Sequence, residues 1–278
     1  MIDNHWKETC RQFVGKVEIV TDDLPLHPAT AMLATLNEDG IIEKGKELPH
    51  LFHWLYFHTP ARTEDLKNDG HQKLGVFLPP VPYPRRMWAG SRIDFHHALK
   101  AGVPAERRSE IRKVEFKTGS TGPLCFVSVE HVYRQEGQTC LTDLQTIVYR
   151  EPAPTPQTFG LAPAKGESHQ SLGPIVLFRY SALTFNSHRI HYDRSYATKE
   201  EGYAGLVVHG PLIATLLLRQ GLKDNPGKQP ATFSFRGMAP LIDGEGFLIR
   251  SEPKDQGLGL TLIKSNDIPA SSAEIRWK

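Results

Sequence analysis

Between positions 186 and 193 the chain reads N-S-H-R-I-H-Y-D, so that Asn186, His188, Arg189, His191 and Asp193 fall within eight residues. A histidine near its ordinary pKa exchanges protons with water, and an asparagine five positions earlier can hold that water by hydrogen bonding. Adding water across a carbon–carbon double bond requires both services. It also requires an electron sink, because attack at a β-carbon pushes charge onto a conjugated carbonyl oxygen. His209-Gly210-Pro211, some seventeen residues on, opens an apolar helical stretch. A glycine amide at a helix start is approachable and has the positive end of the helix dipole behind it. The spacing therefore predicts His191 as the proton carrier, Asn186 as the group that holds its water and Gly210 as the oxyanion donor.

Other polar residues fall into supporting roles. His188 and His209 are expected to line the pocket, His209 as a wall rather than a proton carrier. Arg189 is either a surface residue or the partner of a substrate carboxylate, for which guanidinium geometry is well suited. Arg86, Arg92 and Arg236 are weaker candidates for the same contact. Asp193 suits the start of the helix beginning RSYATKEE, as a cap and support rather than a base. His188, His191 and Asp193 also have metal-ligand chemistry, but a further ligand at suitable spacing is not evident. No metal is expected. His53 and His58, beside Trp54, Tyr56 and Phe57, read as a packed aromatic flank rather than a site lining.

These residues need elements to hold them. Residues 1–22 read as a short helix and a strand, 28–36 and 51–58 as helices, and the proline-rich 75–86 as a loop. Long strands with alternating apolar residues follow from about 88 to 151. Residues 152–174 carry the proline, glycine and small polar residues of a linker. Beyond it come an expected strand at 175–183, the polar cluster, an apolar helix at 211–222 and four more strands. Helices followed by strands on both sides of the linker suggest a duplicated fold, with domains at 1–151 and 175–278.

The 278 residues, 39% hydrophobic and 23% charged with a net charge of +2, describe a globular protein without a field that would draw it to nucleic acid or to a membrane. Cys10, Cys125 and Cys140 lack metal or redox spacing and read as reduced thiols. With neither a basic leader nor an apolar span, a cytoplasmic location is expected.

FNSHRIHYDRSYAT with GLVVHGPL resembles the MaoC-like hot-dog enoyl-thioester hydratases. YSALTF, PRRMWAGSRIDF and VYRE extend the resemblance to a narrower branch of double hot-dog proteins related to the mesaconyl-C4-CoA and itaconyl-CoA hydratases. The resemblance implies an α+β double hot-dog, two antiparallel sheets each curved around a central helix, with the catalytic residues in the second half only. It places His191 at the family's catalytic histidine, Asp193 at its trailing acid and Gly210 at its oxyanion glycine. Asn186 stands where the family has an aspartate, and His188 where it has asparagine. The implied substrate is an acyl-CoA thioester, a C5-dicarboxylyl-CoA hydrated to citramalyl-CoA as in itaconate degradation. No cofactor is implied, coenzyme A being part of the substrate, and homodimerisation is left open. A general 3-hydroxyacyl-thioester dehydratase, a catalytically weak acyl-CoA-binding protein and a hot-dog thioesterase are the alternatives.

Overall fold

Strand β8 (Gly257–Lys264) buries Leu258, Leu260 and Leu262 and leaves the residues between them partly open, the period of two of a strand with one face on a core. The face it buries meets α4 (Gly210–Asp224), whose Leu212, Ile213, Leu217 and Leu218 are at most 4% exposed. Each such side chain contributes about 1.5–3 kcal/mol by leaving water. A helix this apolar must be wrapped, and β6 (Pro230–Gly237), β7 (Phe247–Lys254), β8 and β9 (Pro269–Trp277) pack against it.

The computed structural model describes residues 5–119, 122–152 and 170–278. In the first part, α1 (His5–Arg11), β1 (Val17–Asp22) and α2 (Leu26–Thr35) precede β2 (Arg85–Phe95), β3 (Ala105–Gly119), β4 (Gly122–Gln135) and β5 (Gln138–Arg150). Helix α3 (Pro174–Leu183) leads the second part. Among the described residues the nine strands are all antiparallel, in the order β1-β3-β4-β5-β2-β6-β9-β8-β7. The fold is the expected α+β double hot-dog, but in place of two separate sheets the strands form one nine-stranded sheet whose halves meet where β2 pairs with β6. One core runs from Met32 and Phe52 in the first part through Phe233 and Ile275 in the second. A smaller cluster gathers Cys10, Ile111, Val127 and Tyr149. All three cysteines are buried free thiols. Among the described residues no helix is long and apolar enough to cross a membrane.

Two local expectations are corrected. Residues 175–183 form a helix rather than a strand. Pro174 sits in its first turn, and Leu177, Tyr180 and Ser181 are buried at helical spacing, which outweighs the strand preference of Ile175 and Val176. The helix expected at 51–58 is only a 3-10 turn, Phe52–Leu55, bounded by the positive φ of Leu51 (68°) and Phe57 (60°). Of the expected linker, residues 153–169 lie outside the described residues. Gln170 already pairs with Phe247 across an antiparallel bridge.

Candidate active site

Helix α3 ends at Leu183, and the chain then turns through Phe185 (φ 48°) into the polar segment. Asn186 Oδ1 accepts the His188 backbone N–H at 3.0 Å, an Asx turn that presents the next residues as a short 3-10 turn, Arg189–His191. His191 is buried. Its Nδ1 donates to the Val207 carbonyl at 2.7 Å, which fixes the tautomer and leaves Nε2 as a lone pair. Burial holds its pKa down at about 4, so the ring is a neutral base at ordinary pH.

His209 immediately precedes α4 and stacks on His191, with ring centroids 3.7 Å apart and planes within 18°. His209 Nε2 and Ser181 Oγ share a 2.8 Å hydrogen bond, which ties the wall to α3. Burial and the neighbouring histidines hold its pKa well below the usual value. At Gly210 a Cβ would lie 2.8 Å from the Trp88 ring, so the indole closes directly over the helix start. Pro211 has no N–H, and Gly210 N–H has no intrahelical acceptor.

Asn186, His188, His191, His209 and Gly210 all line one cavity of about 550 Å³. Arg86 lines it too. No hydrogen bond or ion pair of Arg86 is found among the described residues, and its charge helps to hold the pKa of His188 and His71 down, after burial. Arg189 and Arg236 are not part of the lining. The Arg189 guanidinium is spent on Asp193 Oδ2, at 2.8 and 3.1 Å, and on Asn68, while it lies 4.2 Å from the Tyr196 ring centroid. Arg236 is exposed on β6, and Arg92 pairs with Asp94 on the surface. Asp193 also accepts the Tyr196 backbone N–H at 3.0 Å, the capping geometry its position predicts.

Sequence reasoning missed the contribution of the first half. His71 lines the same cavity, its ring 4.1 Å from that of His188, with the Asp69 carboxylate beside it. The turn signal Asn68-Asp69-Gly70 directly before a histidine was the available clue. His53, in contrast, is buried between Trp54 and Tyr133, 3.7 Å from Asp143.

A fixed-tautomer histidine beside a glycine-led helix start sets a base next to an oxyanion donor, an arrangement suited to hydro-lyase chemistry on a thioester. The chain belongs to the hydroxyacyl-thioester dehydratase type 2 family, which it matches over residues 51–243. It is 44% identical over 269 residues to a mesaconyl-C(4)-CoA hydratase of Chloroflexus aurantiacus, covering 95% of this chain and 96% of that one. A mitochondrial hydroxyacyl-thioester dehydratase type 2 of Schizosaccharomyces pombe is 29% identical over 219 residues, 69% of this chain and 73% of the other. Among solved structures, HtdX of Mycobacterium tuberculosis has a TM-score of 0.64 at 16% identity over 94% of this chain and 100% of that one. A second M. tuberculosis protein, described as having a double hot-dog fold, has a TM-score of 0.59 at 12% identity, with 95% and 96% covered. These two likenesses concern the fold alone.

Proposed function

We propose that the protein adds water to an α,β-unsaturated C5-dicarboxylyl-CoA thioester, mesaconyl-C4-CoA foremost, and releases citramalyl-CoA, as in itaconate degradation. The observation that carries this reading is that a histidine with a free Nε2, His191, and an arginine without a partner among the described residues, Arg86, line one cavity. In mesaconyl-C4-CoA the free carboxylate sits on the carbon that water attacks. Its counter-charge must therefore lie in the same cavity, a condition that Arg86 meets and Arg189, tied to Asp193, does not. The mesaconyl-C(4)-CoA hydratase activity named for the Chloroflexus relative supports the same substrate class.

His191 Nε2 takes a proton from water while the oxygen bonds to the β-carbon. The π electrons move through the α-carbon onto the thioester oxygen, where Gly210 N–H donates. The enolate then takes the proton from His191 at its α-carbon and the carbonyl re-forms. Itaconyl-CoA carries its double bond outside conjugation with the thioester, so this electron path favours mesaconyl-C4-CoA. The sequence of steps needs no metal or redox cofactor, and coenzyme A arrives with the substrate.

The test is to incubate the purified protein with mesaconyl-C4-CoA, itaconyl-CoA and crotonyl-CoA and to follow the gain of one water by mass and the loss of enoyl absorbance. Turnover confined to crotonyl-CoA would instead support a general 3-hydroxyacyl-thioester dehydratase, a reading favoured by the apolar wall of Ile213, Phe235 and Met238.

A further inference from the structure

The second half lacks a carboxylate where the site needs one. Asn186 cannot exchange a proton, and its Oδ1 is taken by the His188 backbone. One histidine can shuttle a proton from water to carbon, but a water poised for attack also needs an acceptor for its other hydrogen. Three further imidazoles, His71, His188 and His209, line the cavity. His209 Nε2 is taken by Ser181 and its Nδ1 is buried without a partner among the described residues, while the His188 ring lies against both neighbours, its centroid 4.1 Å from that of His71 and 5.3 Å from that of His191. Only His71 has a carboxylate at its back: Asp69 Oδ2 is 3.6 Å from its Nδ1. That nitrogen is buried and makes no hydrogen bond among the described residues, so the carboxylate acts on it as a charge 3.6 Å away.

The loop that carries this pair is fastened to the catalytic segment rather than merely near it. Ser187 Oγ donates to the Gly70 carbonyl at 2.5 Å, Arg189 N–H to the Asp69 carbonyl at 2.9 Å, and Arg189 Nη1 to the Asn68 carbonyl at 3.1 Å. Gly70 has φ +90°, and a Cβ there would lie 1.8 Å from the Ser187 carbonyl oxygen, so the contact admits no side chain. Asp69 Oδ1 accepts the His71 backbone N–H at 2.9 Å, which sets the carboxylate against the ring.

We infer that His71, held by Asp69, is the second water-binding base of the site, a carboxylate–imidazole unit lent by the first half in place of the acid the second half lacks. His71 touches the attacking water; Asp69 is its positioning residue. The inference rests on the hydratase reading above. Lys67, Arg86, His188, His191, Tyr149 and Tyr196 are the other charged or titratable groups facing this pair, and Lys67 Nζ holds Asp69 Oδ2 at 3.0 Å.

The experiment compares the full-length wild type with His71→Ala and Asp69→Asn on an enoyl-CoA that the wild type hydrates. His71→Ala should lower kcat about a hundredfold with KM within a few-fold, and added imidazole should restore about tenfold, which a purely structural role would not permit. Asp69→Asn weakens His71 as an acceptor, so kcat should fall severalfold and the acid limb of its pH profile should move to lower pH. In parallel, histidine-selective nitrogen NMR on butyryl-CoA, which cannot be hydrated, should move the His71 Nε2 resonance on binding. Wild-type turnover with kcat retained within twofold in His71→Ala overturns the inference, as does an Nε2 resonance unmoved by bound butyryl-CoA. Absence of wild-type turnover on every enoyl-CoA would overturn the hydratase reading instead, while the NMR arm still decides whether His71 meets the acyl group.

Discussion

At the start of α4 the chain keeps a glycine, a stacked pair of histidines and an open cavity; at the start of α2, in the first half, the space is filled. Leu24 and Phe57 are fully buried there, Tyr56 Oη donates to the Pro25 carbonyl at 2.9 Å, and Asp22 takes the backbone N–H groups of Leu24 and Phe57 at 2.8 and 2.9 Å. His27, just before Pro28, points to solvent. A helix start can thus be saturated for stability or left unsaturated for chemistry, and each half has taken one course. The first half still serves the site, through β2, which brings Arg86 and Trp88, and through the 67–72 loop, which brings His71.

That division makes paired substitutions informative. His191→Ala should lower kcat about a thousandfold while the protein remains folded, whereas His53→Ala, which empties a buried ring site beside Trp54 and Tyr133 while Asp143 keeps its hydrogen bonds from Trp54, Ser91 and Gln145, should lower Tm and leave kcat per folded molecule unchanged. Thermal melts beside single-turnover rates would separate the two, and a large kcat loss in the His53 variant would break the contrast. Arg86→Gln comes next: about a hundredfold loss of kcat/KM on a dicarboxylyl-CoA and a few-fold loss on crotonyl-CoA. Arg189→Ala should reduce both substrates alike, because it loosens the latch to Asn68 and Asp193 rather than a substrate contact. A selective dicarboxylyl loss in the Arg189 variant would return the carboxylate site to that residue.

Much of this arrangement was legible in the chain because it is local. The strands announce themselves by alternation over many residues, α4 by an apolar run behind Gly210-Pro211, and the Asx turn and Asp193 cap by short-range spacing. Helix α3 was not, since Ile175, Val176, Leu177 and Phe178 form a run too short for periodicity to separate helix from strand. The assignment of Arg189 to substrate overlooked a signal in plain view, an acid four positions on, which on a turn of helix makes an ion pair before any ligand arrives. His71, with Asp69 behind it, joins the cavity across more than a hundred residues of chain, brought there by the β2–β6 junction and by the hydrogen bonds of the 68–70 turn to Ser187 and Arg189. No spacing rule carries such a contact.

The smallest expected effect tests whether the two halves share one acid sensitivity. His50, His71 and His131 in the first half and His191 in the second are each held down to about 4, in every case chiefly by burial. In the unfolded chain these rings titrate near 6.5. Between those values the unfolded state binds protons that the folded state refuses, so stability falls as pH drops from about 6.5 to about 4 and levels off below. Each such ring contributes about 1.4 kcal/mol per pH unit across that window. His131 shares a 2.8 Å hydrogen bond with Ser109 and takes no part in the catalytic cavity, so His131→Asn should remove one proton from the slope of unfolding free energy against pH and leave the pH profile of hydration unmoved. Denaturant melts at several pH values provide the slope. A slope unchanged by that substitution would mean that His131 binds its proton equally in the folded and unfolded states, so that burial in the first half does not hold it down as burial holds His191 in the second.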